Sequence, residues 1–128
     1  MSDAQANDPN FGAVLMANAV RVFGEPDGAK RLQALKELWS PDGALYEDEH
    51  VIKGIEAISA TVGALLDNLP AGTRFAADGP VVGHHGLARL RWITVDASGT
   101  PGPVSGTDVA FIENGRITSL YVFLDPMG

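Results

Sequence analysis

Cysteine is absent from this sequence of 128 residues. Disulfide bonds, a zinc site built on thiolates and a thiol nucleophile are therefore excluded. Basic residues are also scarce, since 9 Lys and Arg stand against 16 Asp and Glu and give a net charge of −7. Nucleic acids and anionic membrane surfaces are bound by clustered Lys and Arg. We therefore expect neither a nucleic-acid partner nor a membrane partner.

Long apolar runs are missing as well. No run approaches the roughly 18 residues that read as a membrane-spanning helix. The N-terminal residues 1–8 contain neither the basic segment nor the apolar segment of a secretion signal, so a cytoplasmic location is the default expectation. With 45% hydrophobic residues the chain is suited to a sizeable core. We predict a single domain over residues 1–128, with residues 1–7 flexible.

Helical periodicity fills the first half of the chain and strand patterns fill the second. The predicted elements are, in chain order, a helix from Asp8-Pro9 to residue 23, a helix over 29–39, a turn over 40–43, a strand over 44–49, a helix over 54–69, strands over 73–82 and 87–95, a loop over 96–103, and strands over 104–112 and 117–124. This segregation of helices and strands predicts an α+β fold in which the helices cover one face of an antiparallel sheet.

The last two strands contain an unusual carboxylate. Asn114-Gly115 between two apolar runs is a strong hairpin signal. Asp108 lies within the first of these runs, where an apolar residue would be expected. A carboxylate there either reaches water or lines a cavity, and cavities are where small molecules bind. The alternative is a structural role, in which Thr107, Ser105 or a buried Arg satisfies the side chain.

Two arginines alternate with apolar residues on the preceding strand. Arg89 and Arg91 point to one side of the strand, and Leu90 and Trp92 point to the other. Either both arginines face solvent, or one of them lies inside the fold and pairs with Asp108 or Glu47. In the second case the guanidinium would lower the pKa of that carboxyl and keep it ionised.

Three segments resemble the nuclear transport factor 2-like superfamily, in particular its SnoaL-like and ketosteroid-isomerase-like members. The segments are Leu38 to Asp48, Lys53 to Ile58, and the last hairpin with Gly106-Thr107-Asp108 and Gly115 to Leu120. The resemblance implies a cone-shaped α+β fold, with three N-terminal helices packed on a strongly curved, mixed and mostly antiparallel sheet. It also implies a homodimer, and a pocket at the mouth of the cone for a small apolar organic ligand.

The resemblance also suggests catalytic residues. Glu47 falls at the position of the carboxylate base of ketosteroid isomerases, and Asp108 at the position of their protonated acid. A base removes a proton next to a carbonyl group, and a neutral acid stabilises the oxyanion that forms. The alternative for Glu47 is a solvated residue beside Asp48 and Glu49. This chemistry needs no cofactor and no metal.

Other family residues are missing or displaced. The tyrosine that ketosteroid isomerases carry on the first helix is absent, and Asn18 is a weaker donor at that place. Tyr46 and Tyr121 can replace it only if they point inward. The pattern therefore favours a substrate other than a steroid.

The sequence lacks the residues of one further activity of the superfamily, epoxide hydrolysis, and has a candidate residue for another, dehydration by a His–Asp dyad. Limonene-epoxide hydrolases need an Arg-x-Asp motif, whereas Arg89-Leu90-Arg91 lacks the acid, and their second acid corresponds to Val122. Some dehydratases use a His–Asp dyad, for which His84 is the candidate. Glycines flank His84-His85, however, which is typical of an exposed turn, and adjacent His side chains are poorly placed for zinc.

Two function classes remain open from the sequence. The first is a cofactor-independent acid–base enzyme, of the isomerase, cyclase or dehydratase type, acting on a small, largely apolar carbonyl or hydroxyl compound. The second is a non-catalytic binding or dimeric interaction module of the same fold. The residues that we expect to line or bind in the pocket, besides Glu47 and Asp108, are Asn18, Trp39, Tyr46, Arg91, Trp92, Tyr121 and Phe123.

Overall fold

The computed structural model of the chain describes residues 11–126. Its helices are α1 (Phe11–Asn18), which continues into a π-helical turn (Ala19–Phe23), α2 (Gly28–Leu38) and α3 (Ile55–Asp67). The predicted helix start at Asp8-Pro9 and the flexible segment 1–7 lie outside the described residues. No helix in the described part is long and apolar enough to cross a membrane. The cytoplasmic location stays a prediction.

Seven strands form one sheet. They are β1 (Trp39–Tyr46), β2 (Val51–Lys53), β3 (Arg74–Ala77), β4 (Val82–His84), β5 (Leu87–Val95), β6 (Pro101–Glu113) and β7 (Arg116–Leu124). The strand order is β2-β1-β7-β6-β5-β3, and β4 also pairs with β5. Only the β1–β7 pairing is parallel among those described. The predicted α+β fold, with three helices on a curved, mostly antiparallel sheet, is confirmed.

Several strand boundaries differ from the prediction. The predicted turn over 40–43 lies within β1, where the register with β7 shifts between Trp39 and Ala44. Pro and Gly are tolerated there because such an irregularity removes the need for a regular ladder of hydrogen bonds. The predicted strand over 73–82 is two strands, β3 and β4, and β2 was not predicted. β6 begins at Pro101, inside the predicted loop.

Capping and apolar contacts fix α2 against the rest of the fold. The Asp27 side chain accepts hydrogen bonds from the backbone N–H groups of Ala29 and Lys30, at 2.9 and 3.3 Å. These bonds satisfy two of the amides that a helix start leaves unpaired. Leu35 of this helix is fully buried, in one hydrophobic cluster that also contains the π-helical turn, α3 and the sheet.

The two faces of the sheet have different environments. Leu90 and Trp92 of β5 are buried in the hydrophobic cluster, under the helices, whereas Arg89 and Arg91 point to the opposite face. Asp108 is paired in register with Leu90 and therefore shares the inner face. The alternation predicted for β5 thus places the aspartate of β6 in the interior.

Candidate functional site

A cavity of about 600 Å³ lies between the helices and the inner face of the sheet. Such a volume is within the range of small-molecule sites. The helical side contributes Ala19, Phe23, Leu65 and Leu69. The sheet contributes Phe75, Trp92, Val104, Val122, Phe123 and Leu124. The walls are therefore mainly apolar, and they suit a guest that is itself largely apolar.

Asp108 is the polar group in the interior of this cavity. The residue is 3% exposed, and its Oδ1 accepts a hydrogen bond of 2.8 Å from Trp92 Nε1. Burial raises the pKa of the Asp108 carboxyl to about 7, although the hydrogen bond from Trp92 acts in the opposite direction. Near neutral pH the site therefore holds a mixture of the acid and the carboxylate.

The second oxygen of Asp108 is available to a guest. Among residues 11–126, Oδ2 has no hydrogen-bond partner and Asp108 has no ion pair. In the described part, Asn18 Nδ2 is the polar side-chain atom that is both fully buried and without a hydrogen-bond partner. Asp108 Oδ2 also has no partner, and it therefore keeps some solvent-accessible surface. Since Asp108 lines the cavity, a bound molecule can reach this oxygen.

Trp92 is held against Asp108 by its neighbours. Gly106 faces Trp92 across the β5–β6 ladder, and a Cβ at that position would lie 2.7 Å from Trp92 Cζ2. The missing side chain lets the indole lie flat against β6. On its other side Trp92 packs on Phe75, with ring centroids 5.1 Å apart, and Phe75 packs on Phe23 at 5.9 Å. This aromatic row fixes the direction of the Nε1–H group that donates to Asp108.

Glu47 lies at the mouth of the cavity. The residue is half-buried and begins the tight turn between β1 and β2. The Glu47 N–H donates to the His50 carbonyl oxygen at 2.9 Å, and the His50 N–H donates back at 3.4 Å. Asp48, Glu49 and His50 of this turn also line the mouth. Glu47 and Asp108 therefore line the same cavity, one at its rim and the other in its interior.

The C-terminal end of β7 forms another part of the rim. Asp125 accepts hydrogen bonds from Ser105 Oγ at 2.6 Å and from Arg91 Nη2 at 2.7 Å. The hydrogen bond from Arg91 is the main reason why the pKa of the Asp125 carboxyl is lowered, and the hydrogen bond from Ser105 adds to this effect. Arg91 also pairs with Asp78 at 3.2 Å. Arg91 is thus paired on the outer side of the sheet and has no hydrogen bond or ion pair with Asp108, which agrees with the first of the two alternatives for the arginines.

Tyr46 and Tyr121 lie on the outer face of the sheet and do not line the cavity. They are partners in the parallel β1–β7 pairing, and their rings stack with centroids 4.4 Å apart and an angle of 7°. Their neighbours Leu45 and Leu120 are fully buried on the inner face. Because successive residues of a strand alternate, both tyrosines must point outward. They therefore cannot replace the missing tyrosine of the first helix.

Asn18 and Trp39 are buried beside each other and also do not line the cavity. Trp39 Nε1 donates a 2.8 Å hydrogen bond to Asn18 Oδ1. This bond connects the end of α1 with the start of β1, which is a structural task. His84 is exposed at the end of β4, where its Nδ1 contacts His85 Nδ1 at 2.8 Å. No contact joins His84 to Asp108 within the part of the chain that the structure describes.

Some lining residues were not predicted from the sequence. The acidic run 47–49 was visible, but only Glu47 was assigned to the pocket. No sequence pattern assigned Ser105 or Asp125 to the pocket. Their hydrogen bond depends on the register between β6 and β7, which the sequence does not show. Ala19 and Phe23 both line the cavity, since residues four positions apart lie on the same side of a helical segment.

Comparisons with known proteins agree with this architecture. The family model of the SnoaL-like domain matches residues 18–120. A candidate isomerase of the SnoaL-like family from Agrobacterium tumefaciens superposes with a TM-score of 0.77 at 24% identity, over 91% of this chain and 96% of that chain. A candidate SnoaL-like polyketide cyclase from Jannaschia sp. gives a TM-score of 0.70 at 16% identity, over 91% and 85%.

A designed protein has a similar fold. A de novo designed protein with a curved β-sheet superposes with a TM-score of 0.69 at 18% identity, over 94% of this chain and 88% of that chain. No curated protein matches the chain. At these identities the solved structures show the fold alone, and function has to be argued from the site. Because the family model covers most of the sequence, the chain belongs to the SnoaL-like domain family.

Proposed function

We propose that this protein is a cofactor-independent acid–base enzyme, of the isomerase, cyclase or dehydratase type, that acts on a small, largely apolar carbonyl or hydroxyl compound. The observation that supports this most is Asp108, a buried carboxyl group with a pKa of about 7 in an otherwise apolar cavity. Catalytic acids and bases often have a pKa near the working pH, because both protonation states are then accessible.

In the proposed reaction Asp108 is the acid. Its protonated form donates a hydrogen bond from Oδ2 to the carbonyl oxygen of the substrate, while Trp92 Nε1 holds Oδ1. As negative charge develops on the substrate oxygen, this hydrogen bond strengthens more than it would in water, because the surroundings are apolar. The aromatic and aliphatic walls exclude water that would compete for the same oxygen.

Glu47 is the proposed base. Its carboxylate takes a proton from the carbon next to the carbonyl group, and the electron pair of that C–H bond moves into the enolate. Return of the proton to another carbon completes an isomerisation, whereas departure of a β-hydroxyl group, with a proton from Asp108, gives a dehydration. The position of Glu47 at the rim suits a substrate whose reacting carbon lies between the mouth and Asp108.

A comparison of variants tests this proposal. Turnover and binding of small ketones, phenols and polyketide-like aromatics would be measured for the wild type, Asp108→Asn and Glu47→Gln. We expect Asp108→Asn to lower kcat by about 10²-fold to 10³-fold and Glu47→Gln by about 10²-fold to 10⁴-fold. Glu56→Gln is the matched control, since Glu56 is exposed on α3 and does not line the cavity. Turnover that survives both substitutions would refute the roles.

A binding module without chemistry is the second candidate. It is favoured by the place of Glu47, which lies at the rim among other carboxylates and not beside Asp108. In that case a ligand would bind in a way that depends on Asp108, without turnover of any compound in the series. Single-turnover measurements with an enolisable ketone, followed by deuterium exchange at its α-carbon, separate the two functions.

The homodimer is likewise a proposal. Four apolar side chains on the outer side of the sheet are exposed by 40–55%, namely Val51, Val82, Leu87 and Phe111. Phe111 and Leu87 are cross-strand partners, as are Tyr121 and Val109, so apolar pairs lie on neighbouring strands, with Arg89 opposite Val109 beside them. A second copy presents the same surface and can cover it through a two-fold axis.

A further inference from the structure

The charges around the mouth of the cavity are of one sign. Glu47, Asp48 and Glu49 line the mouth in a single tight turn, and Asp125, the residue after β7, also lines it. Among the lining residues that the structure describes there is no Lys or Arg, and the basic side chain present is that of His50. Arg91 neutralises Asp125, with 2.7 Å between Nη2 and Oδ2. The turn therefore supplies the charge that a guest would meet on entry.

The three carboxylates of the turn have no counter-charge within the described chain. None of them forms an ion pair or a side-chain hydrogen bond to residues 11–126. The two backbone hydrogen bonds between Glu47 and His50 hold the turn closed, which keeps the like charges near one another. Like charges placed together repel one another, and a cation between them would relieve the repulsion.

The interior supplies an independent observation. Asp108 lines the same cavity and is only 3% exposed. Its Oδ2 has no hydrogen-bond partner among residues 11–126. An apolar cavity with one available hydrogen-bonding group at its inner end and unpaired carboxylates at its outer end suits a molecule with two different ends.

We propose that the ligand of this cavity is an apolar molecule with a positively charged or basic nitrogen at one end and a carbonyl or hydroxyl group at the other. The nitrogen lies against Asp48 and Glu49, the oxygen-bearing end reaches Asp108, and Glu47 stays available to the carbon next to the carbonyl group. Compounds with a carboxylate in place of the nitrogen are rejected. This inference rests on the proposed function for its inner end, while its outer end depends only on the acidic turn.

Three para-substituted acetophenones test the charge preference. The trimethylammonio, tert-butyl and carboxylate derivatives share one ketone, and the first two have nearly the same shape. Dissociation constants would be measured by calorimetry for each. We expect the cation to bind at least about tenfold more tightly than the anion at low salt, with the neutral compound between them. The difference should shrink between about 0.01 and 1 M salt, as the Debye length falls from roughly 30 Å to roughly 3 Å.

A matched pair of double variants locates the effect. Asp48→Asn with Glu49→Gln removes two mouth charges and leaves Glu47 and Asp108 in place. We expect this variant to lose most of the preference for the cation and to bind the tert-butyl compound as the wild type does. The control is Glu56→Gln with Glu113→Gln, which removes two exposed charges that do not line the cavity. The control should keep the preference.

The possible results separate this inference from the proposed function. Equal affinity for the cation and the anion at low salt, or a preference that survives Asp48→Asn with Glu49→Gln, would overturn the inference. If the neutral ketone still binds and this binding is weakened in Asp108→Asn, the proposed function stands without it. If the protein prefers the cation but Asp108→Asn has no effect on binding, the contact of the nitrogen with the acidic turn stands and the contact of the ketone with Asp108 is rejected. Failure of all three compounds to bind would count against both proposals.

Discussion

Replacement of Asp108 by Asn should make the protein more stable at neutral and alkaline pH. The Asp108 carboxyl has a pKa of about 7 in the fold, against an ordinary value of 3.8, because burial disfavours its charged form. An asparagine has nearly the same shape and cannot ionise. Its amide oxygen can still accept the hydrogen bond that Trp92 Nε1 donates to Asp108 Oδ1 at 2.8 Å.

The sign and size of the effect follow from the two pKa values. Below pH 3.8 the folded and unfolded chains both carry the proton, and above about pH 7 both have lost it. Between these limits only the folded chain holds the proton, so the free energy of unfolding falls as the pH rises. At about 1.4 kcal/mol for each pH unit, the wild type loses about 4 kcal/mol through this one group. The Asp108→Asn variant lacks this loss.

The assay is urea unfolding of both proteins over a series of pH values. Both tryptophans, Trp39 and Trp92, are buried, so their fluorescence reports unfolding. The free energy of unfolding of the variant minus that of the wild type should rise by about 4 kcal/mol between about pH 4 and about pH 7 and then stay constant. A difference that does not change with pH would refute the argument, because it would mean that Asp108 is ionised in the fold at its ordinary pKa.

Three other substitutions test separate parts of the account. Trp92→Phe removes a hydrogen bond that lowers the pKa of Asp108, so the midpoint of the pH series should move to higher pH; an unchanged midpoint would contradict the contact. Gly106→Ala places a Cβ 2.5 Å from the Phe123 carbonyl oxygen and 2.7 Å from Trp92 Cζ2. It should destabilise the fold by about 1–3 kcal/mol in urea unfolding, and wild-type stability would show that the indole moves freely. Phe111→Asp should shift a dimer to a monomer in light scattering, whereas a wild type that is already monomeric at micromolar concentration would exclude the dimer.

Local patterns were sufficient for part of the site. The alternation predicted that Leu90 and Trp92 share one side of β5 and the arginines the other, and it left open which side is buried. An aspartate inside an apolar strand predicted a carboxyl group in water or in a cavity, and the structure shows the second outcome for Asp108. Both inferences depend on the two-residue period of a strand, which the sequence displays directly.

The remaining positions depended on pairings between distant segments. Whether Tyr46 and Tyr121 face the cavity is decided by the parallel pairing of β1 with β7, which joins residues that are 75 positions apart. No local signal encodes such a pairing, and a shift of one residue in β1 relative to β7 would have turned Tyr46 to the opposite face from Tyr121. The predicted first helix includes Ala19 and Phe23, but its periodicity does not show that this stretch forms a π-helical turn.

The location of the acidic turn could not be predicted from the sequence, although its charge could. Three consecutive acidic residues, Glu47, Asp48 and Glu49, usually indicate a solvated surface, and they are indeed exposed or half-buried. Their position at the mouth of the cavity depends on the short strand β2, which was not predicted from the sequence. The chemical character of the turn was therefore readable in advance, but its location was not.

The most direct test of the account is a titration of the Asp108 carboxyl carbon by ¹³C NMR. The resonance would be assigned by its absence from the spectrum of Asp108→Asn, and its chemical shift followed over a range of pH. We expect a midpoint at about pH 7, since burial in the apolar cavity raises the pKa of Asp108. A midpoint near or below about pH 4 would show an ordinary ionised aspartate. That result would contradict the role of Asp108 as a neutral acid at physiological pH.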